Sequence, residues 1–164
     1  MLEIRTLSKE DNLAAVGEMY ARSWQKHYEG ILPRSFLERL TGDRWSAMLN
    51  ADPAAAMAAY EDGCIAGAAI TGFARDEGRE NYGEIIAIYL HPEAKGRGIG
   101  RKLREAAMER LRGEGCESVC LWVMEPNLSA ISFYEHMGFR ASGRSQQELY
   151  AGHAIPLKEY IRKL

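Results

Sequence analysis

The spacing of apolar residues changes period several times along the chain, and each change marks an element. Leu2 to Leu7 alternates apolar and polar and predicts a strand. Ser8 and Asp11 then have the spacing of a capping box. Leu13, Val16, Tyr20 and Trp24 follow at helical spacing and define the apolar stripe of a first helix, closed off by Gly30. Pro33 opens a short second helix through Leu40, and Asp43 to Leu49 fits a third. Ala55 to Tyr60 and Cys64 to Phe73 predict two strands, joined by the hairpin signal Asp62-Gly63. A polar loop, Asp76 to Asn81, leads to the buried strand Gly83 to Leu90. From Gly98 to Arg112 the apolar positions Ile99, Leu103, Ala106, Ala107 and Leu111 return to helical spacing, and Gly113 and Gly115 stop the helix. Cys116 to Met124 predicts the next strand. Asn127 is placed to cap a helix from Leu128, and Gly138 suits the left-handed position after it. Phe139 to Ala141 starts another strand, Ser142 to Gly152 reads as loop, and Ile155 to Leu164 predicts a last strand. Pro156 places that strand at an edge or marks its beginning. Hairpins combined with a strand–helix–strand crossover imply an α/β fold.

Bulk properties narrow this picture. The 164 residues, without repeat or linker, predict a single domain spanning 1–164. The formal net charge of −2 excludes broad affinity for nucleic acid or membranes. No apolar signal core opens the chain and no stretch approaches the length of a membrane span, so a cytoplasmic location is expected. The three cysteines fit a reduced protein. Cys116 and Cys120, on one face of a strand, stand about 13 Å apart, beyond disulfide reach. No spacing of Cys or His suggests a metal.

Positive charge is local: Lys95, Arg97, Arg101 and Lys102 crowd the start of a helix. Cations there oppose the helix dipole, while the unpaired N–H groups of a first turn attract an anion. A bound phosphate reconciles the two. The Walker pattern fails, because Gly96-Arg-Gly-Ile-Gly-Arg-Lys runs into Leu103 rather than Ser or Thr. The dinucleotide fingerprint fails at Arg101, where it needs glycine. Leu90-His91-Pro92 followed by Lys95-Gly-Arg-Gly98-Ile-Gly100 instead resembles the acetyl-CoA signature of the GNAT superfamily of N-acetyltransferases, with Lys95 where Gln or Arg is usual. The stretch 121–139, with its Asn127-x-x-Ala130 helix start, Phe133-Tyr134 pair and Gly138-Phe139 close, resembles the second block of the same family. The resemblance covers roughly Ala55 to Leu164.

That resemblance implies a mixed, largely antiparallel central sheet, splayed between the Gly83 and Cys116 strands and flanked by helices. It implies acetyl-CoA as co-substrate, without a metal, and a primary amine on a small molecule or a protein as acceptor. Backbone contacts from Ile88, Tyr89 and Leu90 are expected to meet the acetyl and pantetheine groups. The loop of Lys95, Gly96, Arg97, Gly98, Ile99, Gly100 and Arg101 is expected to wrap the pyrophosphate, with Asn127 and Tyr134 on the far side of the pantetheine arm. Such a transfer needs a neutral amine, and deprotonating one with a pKa of about 10.4 at pH 7 costs roughly 4.6 kcal/mol. Glu84 is the candidate base and Tyr134 the candidate acid for the leaving thiolate. A covalent route through Cys116 or Cys120 is not marked by any adjacent histidine. His27 and His91 are expected at the surface and in a turn. Trp24 is expected in the core, with Tyr28, Glu29, Glu38 and Trp45 near the acceptor side. A non-catalytic acyl-CoA-binding domain is the alternative, and a homodimer is left open.

Overall fold

A computed structural model describes the chain from Met1 to Leu164. The strands are β1 (Leu2–Thr6), β2 (Ala56–Glu61), β3 (Cys64–Phe73), β4 (Tyr82–Leu90), β5 (Ser118–Met124), β6 (Arg140–Tyr150) and β7 (His153–Lys163). The helices are α1 (Leu13–His27), α2 (Arg34–Arg39), α3 (Asp43–Ala51), α4 (Ile99–Gly113) and α5 (Leu128–His136). One seven-stranded sheet runs β1-β2-β3-β4-β5-β7-β6. Every pairing is antiparallel except β4 with β5. The α1 stripe of Val16, Tyr20 and Trp24 packs with Trp45, Ala58 and Ile70 on one face of the sheet. On the other face, α4 presents Leu103 and Ala107 to Ala69, and Met108 and Leu111 to Ile85. α5 joins α4 there through Ile131 and Tyr134.

The parallel β4–β5 ladder is short, running only from Tyr82↔Ser118 to Glu84↔Cys120. Beyond it the strands diverge, so the sheet is splayed as expected. A bulge accompanies the divergence: Ile70 pairs with Ala87 and Thr71 with Ile85, leaving Ile86 as an extra residue in β4. Because side chains alternate faces, one extra residue reverses the parity of everything beyond it. Ile85 therefore packs toward α4, while Ile86, Ala87 and Tyr89 pack toward α1.

Turn chemistry follows the sequence closely. Asp62 and Gly63 both take positive φ, as the two-residue hairpin between β2 and β3 requires. Asn127 Oδ1 accepts from the Ala130 N–H, and Gly138 has φ of 84°.

Several expectations are corrected. The segment 142–152 is largely strand. β6 runs to Tyr150 but is exposed on both faces, so it carries no apolar alternation to read. Two extra residues bulge from it between Ala141 and Ser145. Pro156 lies within β7, an interior strand, rather than at a sheet edge. Its carbonyl, which accepts from the Glu125 N–H at 2.8 Å, points to the β5 side just past the end of that ladder, so the missing N–H interrupts no pairing. Asn12, not Ser8, caps α1. Ser8 and Asp11 form a turn held by Arg5 instead. Cys116 precedes β5 rather than sharing its face with Cys120, and both thiols are buried and free. No helix is long and apolar enough to cross a membrane.

Candidate functional site

The divergence of β4 and β5 opens a cavity of about 480 Å³ through the sheet. One wall is the β4 edge from Ile85 to Leu90, which has lost its partner strand, and the opposite wall is Leu121, Trp122 and Val123 of β5. The C-terminal end of α1 covers it with Lys26, His27 and Tyr28. α5 closes the other side with Ala130, Phe133 and Tyr134, and Asn127 stands at the start of that helix.

Lys95 and Gly100 also line the cavity. None of the backbone N–H groups from Lys95 to Arg101 donates to a backbone carbonyl. Gly96 and Gly98 supply φ values of 76° and 75°, which turn this string of donors around the start of α4. Gly100 serves differently. It lies in the first turn of α4, and an added Cβ would stand 3.2 Å from Leu90. The cradle thus combines a helix N-terminus with left-handed turns, an arrangement suited to a pyrophosphate. Lys95 makes no ion pair, and burial followed by the charge of Lys26 depresses its ammonium. Arg97 and Arg101 are held elsewhere, by Glu61 at 2.5 Å and Glu105 at 2.9 Å.

Also on the cavity wall, the Tyr134 hydroxyl makes no hydrogen bond within the protein, although the ring packs on Phe133 and Phe139 at 5.5 and 5.6 Å. Burial, reinforced by Tyr28 and opposed by Arg104, raises its phenol above the usual range, so it stays protonated at neutral pH. Tyr28 and Tyr89 meet hydroxyl to hydroxyl at 2.9 Å on the α1 side. Glu84 sits at the apex of the divergence, just outside the cavity wall, and is 2 % exposed. Both its oxygens are bound by Arg75, at 3.2 and 3.0 Å. No group of His, Cys, Asp or Glu is gathered as a metal site.

The model of the acetyltransferase (GNAT) family matches residues 13–139. YuaI of Bacillus subtilis strain 168, an uncharacterized N-acetyltransferase, is 32% identical over 139 residues, covering 82% of this chain and 78% of its own. The chain belongs to the GNAT acetyltransferase family. Mycothiol acetyltransferase of Thermobispora bispora is 31% identical over 141 residues, which are 84% of this chain but 46% of that protein; the chain spans about half of its length. Among solved structures, the PaiA N-acetyltransferase of Thermoplasma acidophilum, in complex with coenzyme A, superposes with a TM-score of 0.77 over 100% of this chain and 99% of its own. At 22% identity that likeness speaks for the GNAT fold alone.

In this GNAT chain, Ile88, Tyr89, Leu90, Lys95, Gly100, Asn127 and Tyr134 share one cavity, while Glu84 lies beside it behind an arginine. His27 is the residue the sequence misplaced. Rather than lying on the surface, it lines the cavity, with Nδ1 2.9 Å from Ser23 Oγ and Nε2 buried without a partner. The i, i+4 spacing of Ser23 and His27 was the available signal. Burial, then the charge of Lys95, holds the imidazole down at about 4. The unfolded chain therefore takes up a proton near the ordinary 6.5 that the folded chain refuses. This group's contribution to stability is complete above 6.5 and is lost as pH falls toward 4. An NMR titration of the His27 ring is expected to show a midpoint far below 6.5; a midpoint at 6.5 would contradict this environment.

Proposed function

We propose that the chain moves an acetyl group from acetyl-CoA to a primary amine by direct attack in a ternary complex. The observation that carries this reading is one cavity reached both by the unpaired N–H groups before α4, at Lys95 and Gly100, and by the unengaged hydroxyl of Tyr134. In this reading the pyrophosphate rests on the N–H groups from Lys95 to Arg101, with Lys95 as counter-charge. The pantetheine arm runs along the unpaired edge of β4 at Ile88, Tyr89 and Leu90, opposite Asn127. The amine nitrogen attacks the thioester carbon and a C–N bond forms. Backbone N–H groups of the β4 edge hold the oxyanion as it develops. The C–S bond then breaks, and Tyr134 gives its proton to the leaving thiolate. The proton shed by the amine goes to Glu84 through a water. Arg75 competes for the lone pairs of Glu84, so part of the amine's deprotonation is assigned to its own desolvation in the cavity.

Calorimetric titration with acetyl-CoA is expected to show micromolar binding. Removing the coenzyme's phosphates, or substituting Lys95→Glu, is expected to weaken it about tenfold or more, as loss of a hydrogen bond to a charged group implies. Pantetheine binding should respond much less to Lys95→Glu. Equal loss for both ligands would move the phosphates away from this loop, and no acetyl-CoA binding at all would overturn the reading.

A further inference from the structure

A second cleft, of about 620 Å³, lies between the loop after β3 and the bulged part of β6. Its walls include Asp76, Glu77, Trp122, Arg144 and Ser145. Trp122 also lines the coenzyme cavity, so the two spaces share one side chain as partition. The partition stands on the α1 face of the sheet, next to the apex where β4 and β5 part, because Trp122 follows Cys120 by two residues on β5.

The charges around this cleft are unequally committed. Arg75 is bound to Glu84 and Arg79 to Glu159, each through both carboxylate oxygens. Asp76 has no arginine of its own. Its Oδ2 accepts from Trp122 Nε1 at 3.1 Å, and its Oδ1 accepts no hydrogen bond from the protein. Arg144, on β6, makes no ion pair. Its Nη1 donates to the Glu77 carbonyl at 2.8 Å, which fixes the guanidinium against the loop without neutralising it. The β6 bulge puts it there: two extra residues and a φ of 91° at Gly143 push the strand out over the loop. A carboxylate tied to the partition and a guanidinium without an ion pair, both lining one cleft, match a ligand carrying both charges.

The geometry points to this cleft as the acceptor site, and to an amino-carboxylate as the acceptor's chemical class. This deepens the proposed transferase reading and rests on it. The ammonium group meets Asp76 beside Trp122, the side chain shared with the coenzyme cavity, and the carboxylate meets Arg144, whose planar fork suits it. Asp76 binds and positions the amine, while the acid and base remain those assigned above.

The test is steady-state transfer from acetyl-CoA to ω-amino acids of increasing chain length, against the matching alkylamines and amino-amides, in wild type, Asp76→Asn and Arg144→Gln. Asn keeps an oxygen for Trp122 Nε1, so Asp76→Asn preserves the partition, and calorimetric acetyl-CoA binding serves as control. The expected result is a preference for amino-carboxylates that Arg144→Gln removes through KM. Asp76→Asn should raise KM for every amine, roughly ten- to hundredfold in each case, as loss of a hydrogen bond to a charged group implies. Normal acetyl-CoA binding with no preference for the carboxylate, no acetylation of any amino-carboxylate, or an unchanged KM in Asp76→Asn would each overturn the assignment. A wild-type chain that fails to bind acetyl-CoA would fail the transferase reading itself, which the control separates from these outcomes.

Discussion

Tyr134→Phe is expected to lower kcat for acetyl transfer about a hundredfold while leaving the Kd for acetyl-CoA unchanged. The substitution removes one oxygen and keeps the ring that packs on Phe133 and Phe139. Positioned proton donors contribute about 10²–10⁴ in rate, and efficiency falls when donor and acceptor are mismatched. A thiol titrates near about 8.5, well below a buried phenol. Burial raises Tyr134 further, so the effect belongs at the low end of the range. The nearby charge of Arg104 acts against that rise and favours the phenolate left behind. Stopped-flow or steady-state assays of thiol release, together with calorimetry, check the two halves separately. Unchanged kcat would make Tyr134 a packing residue only, whereas a weakened Kd would place it in coenzyme binding rather than in proton transfer.

The largest effect on stability is expected at Glu159. Its side chain is wholly buried on β7 and bound through both oxygens by Arg79, which lies in the loop before β4 and packs over the Tyr82 ring at 4.8 Å. The pair therefore ties that loop across β5. Breaking a buried pair by removing one partner leaves an uncompensated charge and costs about 3–5 kcal/mol, whereas replacing both partners with apolar residues is often near neutral. Glu159→Ala should accordingly lose that much in chemical denaturation, and the double variant Arg79→Leu with Glu159→Leu should recover most of it. Equal losses in both would show that packing, not charge, is at stake. Burial alone would raise the Glu159 carboxyl, but hydrogen bonds and charge from Arg79, with Ser142 and Arg144, hold it net below the ordinary 4.5. Its stabilising contribution is thus complete above 4.5 and disappears as pH falls through the lowered value, so wild type and Glu159→Ala should converge in acid.

The sequence carried the elements whose cause is local. Asp62-Gly63, Asn127 and Gly138 need particular backbone angles or caps, and those needs show in residue type. The turn before α4 was legible for the same reason: Gly96 and Gly98 both take positive φ. What stayed hidden depends on residues far apart in the chain. Glu84 is clamped by Arg75, and nothing local indicates which arginine faces which carboxylate. His27 lies one turn from Ser23, but its place on the cavity wall follows from how α1 crosses the splayed strands. β6 was legible only at its start, up to Ala141, because beyond it neither face is buried, and its bulge, which delivers Arg144, has no apolar pattern to disturb. Pro156 misled because the rule concerns which side of the strand loses a donor, and that side is set by where β5 ends.

The unmatched residue in β4 has a consequence for how this gene can change. Up to Ile85 odd-numbered positions face α4, and from Ala87 onward they face α1. Deleting Ile86 would restore an even pleat and leave the other side chains on their layers, with Ala87 and Tyr89 still toward α1 and Ile88 and Leu90 still toward α4. The bulge is thus spare length: loss of one residue beside it can be absorbed by flattening it, without turning over the rest of the strand. Along this strand, then, drift includes substitutions and the loss of a single residue at the bulge, whereas a further unpaired loss would turn the strand over. The reading frame of the pleat, more than the identity of any one side chain, is what descent must preserve.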